Sequence, residues 1–199
     1  MRSKDLKNLG FQMNSRIIKS VYESRFIPER YWNISFKSFE QYGLPEWDSL
    51  IKKLKNYGSH SLYKKGKGIF LSGDYRSGKT ALSIALLKYI LKCNKTAFYF
   101  IPVYTFYDLF FNDRDFYDFV KNLDFLVLDD FGREYKKKEF SGETLENFIR
   151  FRINANKGTM INSNLGLKNI KEVYGDAIYE LLSDIDDDST PLFEILRTP

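Results

Sequence analysis

Eight consecutive residues, Gly73-Asp74-Tyr75-Arg76-Ser77-Gly78-Lys79-Thr80, have the make-up of a phosphate cradle: glycine, four residues, then Gly-Lys-Thr. Glycines let the backbone turn tightly enough for successive N–H groups, here through Ala81, to point inward at the phosphates of a nucleotide. The lysine of such a loop reaches the β and γ phosphates, and the hydroxyl beside it holds a magnesium ion. Those parts fall to Lys79 and Thr80. A helix opening at the loop adds the positive end of its dipole.

A second group lies further along, where the apolar run Phe125-Leu126-Val127-Leu128 ends in Asp129 and Asp130. Alone, such a run is a strand with a solvated end. Paired with a phosphate loop it becomes the other half of a nucleotide site. Asp129 is then the magnesium-binding carboxylate, directly or through water. Asp130 orients and deprotonates the attacking water. A third candidate is an amide at the tip of Gly158-Thr159-Met160-Ile161-Asn162-Ser163-Asn164, where a polar group can sense the terminal phosphate. Lys79, Asp130 and Asn164 are the expected catalytic residues.

These residues need elements to position them. Gly68-Ile69-Phe70-Leu71-Ser72 reads as a buried strand entering the loop. Lys79 to Cys93 reads as the helix leaving it, with Ala81, Leu82, Ala85, Leu86, Tyr89 and Ile90 at helical spacing. Further strands are expected from Thr96 to Ile101, where β-branched and aromatic residues stop at Pro102, and from Asp124 to Asp130, Gly158 to Asn164 and Pro191 to Leu196. Helical segments fall at Trp47 to Asn56, Tyr104 to Phe111, Asp115 to Lys121, Ser141 to Asn156, Leu167 to Tyr174 and Asp176 to Leu182. The alternation predicts an α/β fold with a parallel sheet covered on both faces. Ligands of such sheets sit at the carboxyl ends of the strands, where the loop, Asp129, Asp130 and Asn164 all fall.

Residues 1–27 form a basic arm, with a helix from Asn14 to Arg25 carrying Ile17, Ile18, Val21 and Tyr22 on one face. That face either packs on the main domain or docks a partner. Tyr31, Trp32, Phe36, Phe39, Tyr42 and Trp47 read mainly as core, with a wall for an adenine ring as the sharper alternative. The aromatics from Tyr104 to Phe119 also read mainly as core. One or two of them are candidates to stack bases of single-stranded nucleic acid near Arg114 or Lys121. His60 reads as an exposed loop residue. The lysines from 136 to 138 and the acids from 184 to 188 read as solvated, a phosphate contact and a loose cation site being the alternatives.

At 199 residues, 43% hydrophobic and 29% charged, the chain suits one domain with a short appendage and can build a core. Lys88, Lys92 and Lys95 break its best apolar stretch well short of a bilayer span. Met1-Arg2-Ser3-Lys4-Asp5 is followed by no apolar signal core. A single cysteine, Cys93, rules out an internal disulfide and a cysteine zinc cluster. The expected compartment is the cytoplasm. A net charge of +5 permits contact with nucleic acid or an acidic partner.

The order of Arg30-Tyr31-Trp32-Asn33, Gly73 to Thr80, Phe125 to Gly132 and Asn162-Ser163-Asn164-Leu165 resembles the DnaC/DnaI/IstB group of AAA+ ATPases. These are replicative-helicase loaders and transposition helper ATPases. The resemblance covers residues 28 to 196, followed on its motifs to Tyr174-Gly175. It implies a P-loop NTPase of AAA+ type with strand order 5-1-4-3-2, ATP with Mg2+, and single-stranded DNA and a replicative helicase as partners. It also makes Asn164 the polar sensor residue, with Asn162 the alternative. The group usually has Gly where Arg76 stands, so Arg76 either adopts an unusual backbone conformation or adds a phosphate contact.

The arginines that the group usually places after the fourth strand are replaced here by Ala177 and Leu181. An arginine reaching a neighbour's ATP is worth orders of magnitude in rate. Identical copies are therefore expected to hydrolyse ATP poorly together, and a different partner in a hetero-oligomer would supply an arginine in trans. Arg150, Arg152 and Arg197 are the substitutes within the chain. Loaders usually carry a helicase-binding domain before the ATPase, and the short arm suits a reduced version, as a phage or mobile element encodes. Three functions follow: a helicase loader acting on single-stranded DNA, a transposition helper acting on duplex DNA with a transposase, and an ATP-holding adaptor or regulator of replication that hardly turns over. A small-molecule kinase would need an Arg-rich lid segment between the motifs, and none is present.

Overall fold

The computed structural model describes residues 15–40, 45–94, 98–132, 142–184 and 193–199. Five strands, β1 (Gly68–Ser72), β2 (Phe98–Pro102), β3 (Phe125–Phe131), β4 (Gly158–Ser163) and β5 (Phe193–Arg197), pair in parallel throughout. Their order is β2-β3-β4-β1-β5, which is the expected 5-1-4-3-2 read from the other edge. The inner strands are buried on both faces, which is why β1 and β3 read as unbroken apolar runs. At the edge, β5 leaves Ile195 and Arg197 exposed.

Strand alternation divides the core into two layers. Ile69, Leu71, Phe125 and Val127 point to one side, Phe70, Leu126 and Leu128 to the other. The first side is covered by α3 (Pro45–Ser59) and α4 (Lys79–Asn94). Because α4 lies between the sheet, α3 and the residues around Tyr31 to Phe36, it has no polar stripe: Leu82, Ile84, Ala85, Leu86, Leu87 and Ile90 are all buried. Each of these leucines and isoleucines contributes about 1.5–3 kcal/mol relative to exposure. On the second side lie α5 (Val103–Asn112), α6 (Arg114–Lys121), α7 (Gly142–Asn154), α8 (Leu167–Tyr174) and α9 (Asp176–Ser183).

The arm's helix α1 (Ser15–Glu23) lies against this domain, with Tyr22 and Ile27 in the first core layer. Phe100 N–H donates to Arg25 O at 3.2 Å, tying the turn after α1 to edge strand β2. Lys88 of α4 donates to Trp32 O and Ile34 O, each at 2.6 Å, with its ammonium 5.2 Å from the Tyr22 ring centre. A one-turn helix, α2 (Lys37–Glu40), seats Phe39 beneath α3. Phe36 and Phe39 are core, as expected, and His60 is exposed. Tyr42, Thr96, the lysine run, Ser141, Pro191 and the acids after Asp184 lie outside the described residues. Among the described residues no helix is long and apolar enough to cross a membrane.

Candidate nucleotide site

β1 delivers the chain to Gly73, where a Cβ would collide with the Thr198 hydroxyl, so only glycine fits. Gly78 has φ +86°, and the Trp47 ring stands 3.3 Å from where its Cβ would be. Between them Arg76 takes φ +65°, the left-handed conformation that its replacement of glycine made one of two expectations. The loop is braced on several sides. Ser77 N–H donates to Asp74 O at 3.1 Å, and Thr198 donates its hydroxyl to Ser77 Oγ at 2.7 Å and its N–H to Ser72 O at 2.9 Å.

Lys79 is buried at the head of α4 and donates to Gly73 O at 2.9 Å, Asp74 O at 2.8 Å and Ser77 Oγ at 3.3 Å. Burial lowers its pKa, and Asp129, Asp130 and Asp74 oppose that shift. The next residue closes the site: Thr80 donates its hydroxyl to Asp129 Oδ2 at 2.9 Å, joining the loop to the tip of β3. The other carboxylate oxygen accepts from Asn162 Nδ2 at 2.8 Å. Ser83 Oγ lies 2.8 Å from Asn162 Oδ1 and 2.9 Å from Lys79 O, sharing one proton between them. Burial pushes the Asp129 carboxyl up, while the bonds from Asn162 and Thr80 pull it back.

Asp130 is placed differently from its neighbour. Leu128 pairs with Ile161 and Phe131 with Ser163, so Asp129 and Asp130 together stand opposite the single residue Asn162. This is a β-bulge, and Asp130 occupies it with φ +61°. Asp129 thereby stays buried while Asp130 turns to a half-exposed position at the sheet edge. Of the two strand-tip amides, Asn162 is fully buried and Asn164 is exposed just past β4. Ser163 donates to Phe131 O at 2.7 Å and accepts from Leu165 N–H at 3.0 Å, fixing the two tips together.

The structure thus brings Gly73 to Thr80, Asp129 and Asp130 to one edge, with Asn162 inside the cluster. One hydroxyl and one carboxylate 2.9 Å apart are hard oxygen donors, the kind magnesium takes alongside phosphate and water. The residues therefore fit a magnesium–nucleotide complex. Ser83 and Thr198 are the members that the residue pattern did not single out. Neither belongs to a motif, and only the helical turn after Lys79 could have pointed to Ser83. Of the arginine substitutes, Arg152 is buried and bonded at the amino ends of the strands, and Arg150 is paired with Glu146 at 2.9 Å on α7. Arg197 is exposed on β5 opposite Ser72.

A parallel sheet in this order, with a phosphate loop after β1 and acids at the tip of β3, defines the AAA+ fold. No family model and no curated protein matches the chain. Solved structures do. The DnaC helicase loader superposes with a TM-score of 0.72 and 23% identity, over 86% of this chain and 100% of that one. DnaI gives a TM-score of 0.65 and 17% identity, over 87% of this chain and 92% of that one. The replication initiator DnaA, solved with AMPPCP and single-stranded DNA, gives 0.63 and 16%, over 87% of this chain and 51% of that one. The fold is that of helicase loaders and replication initiators.

Proposed function

We propose that the protein is an ATP-binding AAA+ ATPase that helps place a replicative helicase on single-stranded DNA. The observation that carries it is the Thr80 hydroxyl 2.9 Å from the Asp129 carboxylate beneath the phosphate loop, on a fold shared with a helicase loader. Backbone N–H groups from Gly73 to Ala81 bind the phosphates, and Lys79 holds the β and γ oxygens. Thr80 and Asp129 hold magnesium, which when bound offsets the charge of the β and γ phosphates. Asp130, on its bulge, accepts a proton from the attacking water. Asn164, exposed just past β4, orients that water, and Asn162 keeps Asp129 in place. The working division of the chain is a basic arm to residue 27 and an ATPase domain from residue 28.

The two helices after β4 bear on turnover. Neither α8 nor α9 contains an arginine, and Leu181 is buried in the second core layer. Self-stimulated hydrolysis by identical copies is accordingly weak. This favours a second reading, an adaptor that holds ATP as a conformational clamp. The test is capture of a purified replicative helicase with and without ATP, by the wild type and by Lys79→Ala. Loading requires capture that depends on both ATP and Lys79. Capture of a transposase and affinity for duplex DNA would instead make the protein a transposition helper.

A further inference from the structure

Arg76 is an expensive residue for its position. It sits in the left-handed region at the apex of the phosphate loop, where glycine would be unstrained. Its guanidinium lies 5.5 Å from the centre of the Tyr75 ring, itself 66% exposed, and among the described residues it has no other partner. The flanks of this apex are fixed by the Ser77–Thr198 and Lys79–Gly73 bonds, so the backbone is held while the side chain is not.

The other described arginines are committed or misplaced. Arg152 is bonded to Thr159, Val120, Lys121, Leu123 and Gly158. Arg150 pairs with Glu146, Arg114 lies on Phe110 and Tyr117, Arg25 lies on Phe98 and Tyr99, and Arg30 lies on Tyr31. Arg197 follows Leu196, which packs in the α3–α4 layer, so strand alternation turns Arg197 to the opposite face. Arg76 alone rides on the loop that wraps the phosphates.

We propose that Arg76 is a catalytic arginine acting in cis: it leaves the Tyr75 ring and binds the terminal phosphate held by its own loop. The inference rests on the ATPase reading above. A guanidinium presents two parallel N–H donors to a pair of phosphate oxygens and stays charged. Placed there, it offsets negative charge as the water oxygen bonds to the γ-phosphorus and the bond from phosphorus to the β–γ bridging oxygen breaks. The bridging oxygen keeps the electron pair and leaves on ADP, and the water proton passes to Asp130. An arginine on the same chain makes hydrolysis, however slow, a property of the single molecule.

The test uses Arg76→Gly, which removes the side chain and relieves the backbone, together with Arg76→Lys and Arg197→Ala. ADP and a non-hydrolysable ATP analogue are titrated with magnesium, trapping of ADP with aluminium fluoride is measured, and single-turnover hydrolysis is followed. Arg76→Gly should bind ADP as the wild type does and lose about tenfold in preference for the triphosphate, the scale of one charge-assisted phosphate contact. It should also fail to trap ADP–aluminium fluoride and hydrolyse about 10²–10³-fold more slowly. Arg76→Lys, lacking the fork, should recover a minor part, and Arg197→Ala should match the wild type. Wild-type turnover per molecule should not depend on protein concentration, and mixing Arg76→Gly with Lys79→Ala should restore nothing. Unchanged triphosphate preference and trapping in Arg76→Gly would overturn the proposal, as would rescue in the mixture, which means an arginine in trans. If the wild type bound neither nucleotide, the ATPase reading itself would fall.

Discussion

Asn162 and Asn164 are two residues apart at the tip of β4 and have the same side chain, yet they sit in opposite environments. Asn162 is buried, donating to Asp129 and accepting from Ser83. Asn164 is exposed just past the end of the strand. Replacing Asn162 by leucine takes the amide donor from a buried Asp129 carboxylate oxygen, at a cost of about 1–3 kcal/mol, while Ser83 keeps its bond to Lys79 O. Asn162→Leu should therefore lower stability to chemical denaturation by roughly that amount, and weaken magnesium-dependent nucleotide binding with it. Asn164→Ala should leave stability within about 0.5 kcal/mol, as exposed substitutions do, while slowing single-turnover hydrolysis. The reverse pattern would make Asn162 the water-positioning amide and Asn164 incidental. The residue pattern left these two open because strand polarity alone does not say where a strand stops. β4 stops at Ser163, which is what puts Asn164 outside.

The elements were legible to different degrees. β1 and α4 follow directly from an apolar run, a glycine-rich turn and a helical period, and both were found almost to the residue. The strand order came only through resemblance, since nothing in periodicity says which strands pair. α2 and the turns Glu29–Tyr31 and Leu62–Lys65 are single turns, too short to carry a period. The bulge at Asp130 has no sequence mark, because aspartate tolerates the left-handed region without a glycine signal.

Arg152 was the least legible of all. The sequence offers it as a substitute for the missing arginines, but it is fully buried and bonds Thr159 and the carbonyls of Val120, Lys121, Leu123 and Gly158. Burial pulls its pKa down to about 9, so it remains charged at neutral pH. It ties α7 to the start of β4 and to the turn between α6 and β3. Arg152→Met should unfold at lower denaturant, with a loss of about 2–4 kcal/mol from the orphaned carbonyls, and should leave nucleotide affinity intact in the folded fraction.

Lys88 makes a similar tie on the other face, and burial lowers its pKa. A base with a depressed folded pKa holds fewer protons folded than unfolded between that pKa and its ordinary 10.5. Its contribution is therefore fully present above 10.5 and is lost as pH falls through the folded value. The stability difference between wild type and Lys88→Met should grow with pH across that window, as read from denaturation at successive pH values. A flat difference would mean that Lys88 titrates as an ordinary solvated lysine.

At the scale of the whole molecule, the proposed function asks which surface would meet single-stranded DNA. The carboxyl edge of the sheet is occupied by the loop and the strand tips, and a net charge of +5 attracts phosphate backbone without choosing a face. Stacking needs rings that are exposed and not crowded by acids. Tyr104 and Phe111 are 62% and 59% exposed on α5, but Asp108 lies on the same turns and is already bonded to Asn112. Phe119, 49% exposed, stands instead in a cluster with Phe26, Tyr99 and Phe116, where rings meet edge to face or tilted. The Arg25 guanidinium lies 5.9 Å from the Tyr99 ring centre and supplies a cation to this cluster. This cluster joins the arm to β2 and α6, so base stacking there would couple DNA to the arm as well as to the domain. Phe119→Ala should weaken binding of labelled oligo(dT) by about 1–3 kcal/mol in fluorescence anisotropy, the worth of one stacked base. Phe26→Ala should act in the same direction, and both losses should persist as salt is raised, because stacking is not screened as phosphate contacts are. Tyr104→Ala and Phe111→Ala should change little. If instead those two abolished binding and Phe119→Ala did not, the platform would lie on α5, and the ring cluster at β2 would be packing alone.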